Sequence, residues 1–160
     1  MRTDPRSEIA GYQAAMRILA IDYGSQRIGL ALSDPTGTLA RPLPFVPAKA
    51  DAKLARELAE RALKEDCHLI LLGLPRNMDG SSGEAATKVQ AFAAMLKEAT
   101  PLRIQLIDER LSTVQASRQL QESGKNTRKQ RGQIDSEAAC VLLQGYLDSQ
   151  QKFPLLPPDA

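Results

Sequence analysis

The chain has 160 residues, of which 42% are hydrophobic and 25% charged, and its formal net charge at pH 7 is +2. This length and composition predict one globular domain with a substantial core, and they exclude a chain that is disordered throughout. So small a net charge does not by itself indicate a nucleic-acid partner. His68 is the only histidine, which excludes a multi-histidine metal site and leaves Asp and Glu as candidate ligands.

The two ends of the chain differ in composition from its middle. Residues 1–16 lack the apolar centre of a signal peptide, and residues 151–160 are interrupted by prolines. We therefore expect a flexible N-terminal extension over 1–16, one domain over 17–150 and a flexible tail over 151–160. No apolar run approaches the length of a membrane span, so a cytoplasmic protein without membrane association is expected. Cys67 and Cys140 lack metal-ligand spacing, and both are expected to be reduced structural residues.

The first part of the chain has the pattern of an antiparallel meander. Apolar runs at 18–22 and 28–33 predict two strands joined by a turn at Gly24. Residues 34–37 form a strong turn signal, and the strand that follows contains three prolines between residues 42 and 47. Because proline cannot donate a ladder hydrogen bond, we expect this third strand at an edge of the sheet.

The rest of the chain alternates helix and strand. The predicted elements are a helix within 50–65, a strand at 69–73, a helix before Pro101, a strand at 102–107, a helix after Ser112 or Thr113, a basic loop over 125–132 and a last helix beginning near Asp135. A meander followed by such alternation implies an α/β fold, with a mixed sheet and helices on its faces.

Acidic residues stand at the ends of three predicted elements. Asp22 ends the first strand, Asp108 and Glu109 end the last strand, and Asp135 begins the last helix. Each of these acids could instead have a purely structural role, as the cap of a neighbouring helix or turn. In a sheet of this kind, however, ligands gather at the carboxyl ends of strands, where acids from separate segments can converge. Converging carboxylates favour Mg²⁺ or Mn²⁺, and two such ions could activate a water and stabilise the leaving oxygen of a phosphodiester.

Basic residues lie between two of these acidic segments. They are Arg110, Arg118, Lys125, Arg128, Lys129 and Arg131. They could neutralise phosphates beside the acidic site, although a solvated loop is the commoner meaning of such a cluster. The loop that contains Arg76 and Asn77 follows a strand and can border the same cleft, and a mere connecting turn is equally compatible with it. Aromatic residues make up only 4% of the chain, so recognition of shape and backbone fits better than base stacking.

Four segments, in order, resemble the YqgF family, the RuvX-type Holliday junction resolvases. The segments are 17–24 with 27–31, 73–80, 108–116 and 134–139, and they span nearly the whole chain without its tails. The resemblance implies an α/β, RNase H-like fold: a five-stranded mixed sheet with an antiparallel first part and helices on both faces. It also implies a metal-dependent nuclease for structured nucleic acid, with Mg²⁺ or Mn²⁺, two ions being expected.

By motif position the resemblance identifies Asp22 and Asp135 as catalytic, metal-binding acids. Glu109 is the choice for the third acid and Asp108 the alternative, because adjacent strand residues point to opposite faces and the sequence does not settle which one enters the site. The residues expected to contact nucleic acid are Arg27, Arg76, Asn77, Arg110, Thr113, Lys125, Arg128, Lys129 and Arg131.

The function that the resemblance implies is an endonuclease that processes the 5′ end of pre-16S ribosomal RNA, in association with ribosome assembly. Three alternatives stay open. One is a resolvase of branched DNA, and another is a non-catalytic ribosome-assembly factor that binds nucleic acid. The third is a lobe of an actin-like ATPase or sugar kinase, in which a similar acid–x–Gly turn follows the first strand. A monomer or a weak homodimer is expected.

Overall fold

The computed structural model describes residues 17–75, 83–109 and 128–152, with side chains in the last segment from Ser136 to Gln150. In chain order the elements are β1 (Arg17–Tyr23), β2 (Arg27–Ser33), β3 (Ala40–Pro47), α1 (Asp51–Lys64), β4 (Cys67–Leu74), α2 (Glu84–Ala99), β5 (Arg103–Asp108) and α3 (Arg128–Lys152). The N-terminal extension predicted over 1–16 and residues 153–160 of the predicted tail lie outside this description.

The strands form one mixed sheet in the order β3-β2-β1-β4-β5. The central strand β1 is antiparallel to β2 and parallel to β4, while β3 is antiparallel to β2 and β5 is parallel to β4. The predicted five-stranded mixed sheet is therefore confirmed. The proline-rich strand β3 lies at an edge, as expected of residues that lack a backbone donor.

Alternate residues of β1 enter two separate cores. Leu19 and Ile21 pack in the core beneath α1 and α2, whereas Ile18 and Ala20 pack against α3 residues such as Leu143. Because strand side chains alternate between faces, β1 is buried on both sides, which explains its unbroken apolar run. Helices cover both faces of the sheet, as predicted. We call the side that packs against α3 the α3 face.

The last helix begins earlier than predicted. Arg128, Lys129 and Arg131 lie in the first turns of α3, so the predicted loop over 125–132 was wrong for these residues. Arginine, lysine and glutamine are good helix formers, and one internal glycine costs a helix only about 1 kcal/mol, so the helix continues through Gly132. Asp135 consequently lies about two turns inside α3 instead of beginning it.

Helix α3 is fixed to the edge strand by polar side chains. The Ser136 hydroxyl donates to the carbonyl of Leu43, with an O···O distance of 2.7 Å. About two turns further on, Gln144 accepts the backbone N–H of Ala40 at 2.9 Å and donates to the carbonyl of Thr38 at 3.0 Å. These bonds satisfy backbone groups at the edge of the sheet and hold α3 in register. No helix in the described part of the chain is long and apolar enough to cross a membrane.

Both cysteines are free thiols, and Cys67 is buried at the start of β4. Burial raises the pKa of the Cys67 thiol to about 12. Since the thiolate is the reactive form, we expect Cys67 in a Cys140→Ala variant to resist a disulfide reagent at pH 8 until the protein unfolds. The measurement is the labelling rate of native protein against protein in denaturant. Native labelling as fast as that of the unfolded chain would contradict the packing at this strand.

Candidate active site

Asp22 lies on the α3 face at the carboxyl end of the central strand. Asp22 follows Ile18 and Ala20 at every second position of β1, so its side chain points to the same face as theirs, and both of those residues belong to the core of that face. Only 5% of Asp22 is exposed. Its registered partner on β2 is Gly29, a residue without a side chain. A carboxylate held so far from solvent needs neighbours that offset its lost hydration.

Glu109 folds back over Gly73 from the end of β5. A Cβ placed on Gly73 would lie 2.8 Å from Oε1 of Glu109 and 3.2 Å from Cδ2 of Leu142 in α3. The Glu109 carboxylate therefore occupies the space that a larger residue at position 73 would fill. Only 3% of Glu109 is exposed.

The parallel pairing of β1 with β4 brings the two acids together. Ile21 is paired with Leu72, so the next residues along the two strands, Asp22 and Gly73, lie side by side. Neighbouring strands are about 4.8 Å apart. Asp22 and the Glu109 carboxylate above Gly73 are thus on one face and about one strand apart.

Asp108 faces the other side of the sheet. It is paired with Leu74 of β4, and the Leu74 side chain lies in the core beneath α1 and α2. Paired residues on neighbouring strands share a face, and successive residues alternate. The structure therefore places Glu109 on the face of Asp22 and Asp108 on the opposite face, which favours Glu109 of the two acids left open by the sequence.

Helix α3 carries Asp135 toward the same end of the sheet. Asp135 directly precedes Ser136, which is anchored to Leu43 of the edge strand. It also precedes Ala139 by four residues and Leu142 by seven, which is the spacing of positions on one helix face. Ala139 packs on the α3 face, and Leu142 approaches Gly73. Helix α3 therefore crosses the face that carries the two acids, and Asp135 lies in the part of the helix that precedes these contacts.

Tyr23 secures the end of β1 on the opposite face. Its hydroxyl donates to Oδ1 of Asp51 in α1 at 2.6 Å, and its ring lies 4.9 Å from that of Phe92 in α2. Burial, followed by the bond to Asp51, raises the pKa of Tyr23 to about 12, so this donor stays protonated at neutral pH. Tyr23 thus anchors the strand end that presents Asp22 to helices α1 and α2.

The other residues expected at the site are distributed as follows. Arg27 lies on the α3 face of β2, with its guanidinium carbon 5.3 Å from the centroid of the Phe45 ring. The residues Arg76, Asn77, Arg110, Thr113 and Lys125 lie outside the described part of the chain. Among the described side chains no three His, Cys, Asp or Glu residues are grouped to hold a metal ion. Asp22 and Glu109 form a two-carboxylate pair.

Two features of the site were missed by sequence reasoning. Gly29 and Gly73 flank Asp22 on neighbouring strands, and Gly73 makes the room that Glu109 fills. A glycine within or ending an apolar strand is a general signal of close approach, but it does not say what approaches. Ser136, which anchors α3 beside Asp135, carried no signal beyond its polarity in a helix.

Comparison with known proteins identifies the family of this chain. The family model described as "RuvX: Holliday junction resolvase" matches residues 16–149. The chain belongs to the RuvX family. A relative from Anaeromyxobacter sp. (strain Fw109-5), named "Putative pre-16S rRNA nuclease", is 43% identical over 135 residues, covering 84% of this chain and 98% of the relative. A relative of the same name from Lachnospira eligens is 41% identical over 140 residues, covering 86% of this chain and all of the relative.

A solved structure of the same fold is that of RuvC from T. thermophilus in complex with a Holliday junction substrate. It aligns with a TM-score of 0.54 at 13% identity, covering 85% of this RuvX chain and 96% of RuvC. This similarity concerns the fold alone. The predictions of the RuvX-type family, of an RNase H-like α/β fold and of a nuclease are confirmed.

The contact between Glu109 and Gly73 gives a testable prediction. In Gly73→Ala the new methyl group would meet the Glu109 carboxylate and Leu142, both of which would have to shift, so we expect a loss of stability of about 1–3 kcal/mol. Displacement of the carboxylate should lower the rate of nucleic-acid cleavage roughly tenfold to a hundredfold. Gly145→Ala, at an exposed position of α3, is the matched control. Unchanged cleavage by Gly73→Ala would show that the position of Glu109 has no part in the reaction.

Proposed function

We propose that this RuvX protein is a divalent-metal-dependent endonuclease that processes the 5′ end of pre-16S ribosomal RNA. The observation that carries the proposal is the buried pair of carboxylates, Asp22 and Glu109, on one face at neighbouring strand ends. Relatives more than 40% identical over nearly their whole length, named as pre-16S rRNA nucleases, support this substrate.

The donor set suits Mg²⁺ or Mn²⁺. Both side chains offer only carboxylate oxygens, the ligands that these hard cations prefer, and a cation bound between neighbouring carboxylates reduces their mutual repulsion. We propose Asp22 and Glu109 as ligands and Asp135 as the third acid, supplied by α3. Asp108 is not included, because it faces the opposite core.

The chain's own residues would orient the reaction. A divalent cation held there supplies Lewis-acid stabilisation of the phosphate charge and acidifies water for the attack on phosphorus. Asp22 is rigid because its strand is buried on both faces, and Glu109 is confined between Gly73 and α3. Burial of both acids also excludes bulk water, which strengthens every electrostatic interaction with the substrate.

Basic residues are proposed to hold the nucleic-acid backbone. Arg27 shares the α3 face with the acids, and Arg128, Lys129 and Arg131 lie in the turns of α3 that precede Asp135. A cation at such positions can neutralise phosphates on either side of the scissile bond. The same role is proposed for Arg76, Asn77, Arg110, Thr113 and Lys125, which lie outside the described residues.

A second candidate function is cleavage of branched DNA, which the description of the matching family favours. The two substrates share the phosphodiester chemistry, so the acids would have the same roles in either case. A direct comparison of a precursor ribosomal RNA end with a four-way DNA junction separates the two.

The proposal predicts different results for three acid-to-amide substitutions. Asp22→Asn and Glu109→Gln should each lower Mg²⁺-dependent cleavage of the precursor RNA end by at least about a hundredfold, since each removes a metal ligand. Asp108→Asn, the adjacent residue on the other face, should cleave within a few-fold of the natural protein. Cleavage is measured on both substrates with Mg²⁺ and with a chelator, and thermal unfolding verifies that each variant is folded.

Two outcomes would reject this assignment. One is full activity of Asp22→Asn or Glu109→Gln once contaminating nuclease is excluded, and the other is loss of activity in Asp108→Asn alone. Faster cleavage of the junction than of the RNA would select the second candidate function. Absence of cleavage of either substrate would favour the non-catalytic alternative.

A further inference from the structure

An aromatic side chain is exposed on the same face as the acids. Phe45 of β3 is 40% exposed, and the guanidinium of Arg27 lies over its ring, 5.3 Å from the centroid. The other large apolar side chains exposed in the described residues are aliphatic: Leu39, Leu63, Met95 and Leu106. Phe45 is therefore the one exposed aromatic ring in the described part of the protein, and nothing in the mechanism above uses it.

A bulge in β3 turns Phe45 toward the α3 face. Ile28 of β2 is paired with Val46, but Leu30 is paired with Leu43, so Pro44 and Phe45 both lie opposite Gly29. Leu43 and Val46 pack against the opposite core. Since neighbours along a strand alternate, the two bulge residues between them point to the α3 face, as is usual where a bulge redirects a side chain.

The strand register aligns Phe45 with the acids. Gly29, which lies opposite the bulge, is also the partner of Asp22, and Asp22 is followed across the sheet by Gly73. Phe45 and Asp22 are thus two strands apart, about 10 Å at the usual strand spacing. Gly29 contributes no side chain between them. Asp22 itself is only 5% exposed, so Phe45 marks the accessible edge of the face on which this acid lies.

We propose that Phe45, with Arg27 against its ring, is a stacking platform for an unpaired base close to the phosphodiester that is cleaved. This inference rests on the proposed nuclease function and names the part of the substrate that β3 recognises. An aromatic ring binds the face of any base, and the nearby guanidinium adds a cation–π contact and a charge for the adjoining phosphate. Because the faces of a base inside a duplex are already covered by stacking, the platform selects nucleotides that are unpaired.

The location of β3 is compatible with this role. It is the edge strand of the sheet, and its prolines prevent it from pairing with a further strand. A nucleic-acid strand can therefore approach the α3 face at this edge, where Phe45 is 40% exposed. The scarcity of aromatic residues had favoured recognition of shape and backbone alone, but the position of this single ring adds a base contact.

Binding of RNA by a cleavage-inactive protein tests the platform separately from catalysis. In the Asp22→Asn background, Phe45→Ala is compared with Phe45→Trp, which keeps a stacking surface, and with Leu63→Ala, which removes an exposed apolar side chain from α1. The probe is a fluorescent RNA hairpin with an unpaired 5′ flank. A second set of probes has the same sequence, and each member carries one abasic nucleotide at a different position of the flank. Dissociation constants are measured by fluorescence anisotropy at fixed salt.

We expect Phe45→Ala to weaken binding of the intact RNA about tenfold, whereas Phe45→Trp and Leu63→Ala stay within about twofold. At one flank position, the abasic nucleotide should weaken binding by the protein that retains Phe45 about tenfold as well. On the RNA with that abasic position, Phe45→Ala should weaken binding no further. This loss of additivity is the signature of a direct contact.

Two results would overturn the platform. One is an unchanged dissociation constant in Phe45→Ala, and the other is a tenfold loss that persists on every abasic RNA, which would assign Phe45 to the fold or to contact with another protein. A natural protein that fails to cleave while its binding depends on Phe45 would contradict the proposed function and leave the platform standing.

Discussion

The parallel pairing of β1 with β4 is the constraint on which the candidate site depends. It sets Gly73 beside Asp22, and the missing side chain at Gly73 leaves the space into which Glu109 folds. A slip of one residue between strands would exchange the faces of every side chain and bring Asp108 to the site instead. Such a slip would also set Leu72 or Leu74 beside Asp22 in place of Gly73, where a leucine side chain would fill the space that the Glu109 carboxylate occupies.

Two carboxylates buried this deeply, at neighbouring strand positions, lose hydration and repel one another, so their neighbours must compensate for both effects. Removing a charged group from water costs several kcal/mol unless a counter-charge compensates for it. The remainder of β1 is apolar core, so the acid at its end stands out against the composition of the strand. A metal-binding site explains why acids stand at positions where the packing alone would favour apolar residues. The same reasoning makes Phe45 informative, because an exposed aromatic ring does not help the fold either.

The parts of the fold that depend on local patterns were predictable from the sequence. The apolar run at β1 and the prolines of β3 led to a doubly covered central strand and an edge strand, because each residue type acts through its own backbone or its own burial. The choice between Asp108 and Glu109 was not predictable, since it depends on the register of β5 against β4. The start of α3 was missed because Arg128 and Lys129 suit a helix as well as a loop. The orientation of Phe45 depends on a bulge that the pattern of prolines does not reveal.

The most direct test of the proposed metal site is a crystal structure of the protein with Mn²⁺, in which anomalous scattering locates the ion. We expect an anomalous peak within about 2.5 Å of carboxylate oxygens of both Asp22 and Glu109. The peak should disappear in Glu109→Gln and persist in Asp108→Asn. An ion bound at Asp108, or a peak between Asp22 and Glu109 that Glu109→Gln does not remove, would contradict the proposed metal site.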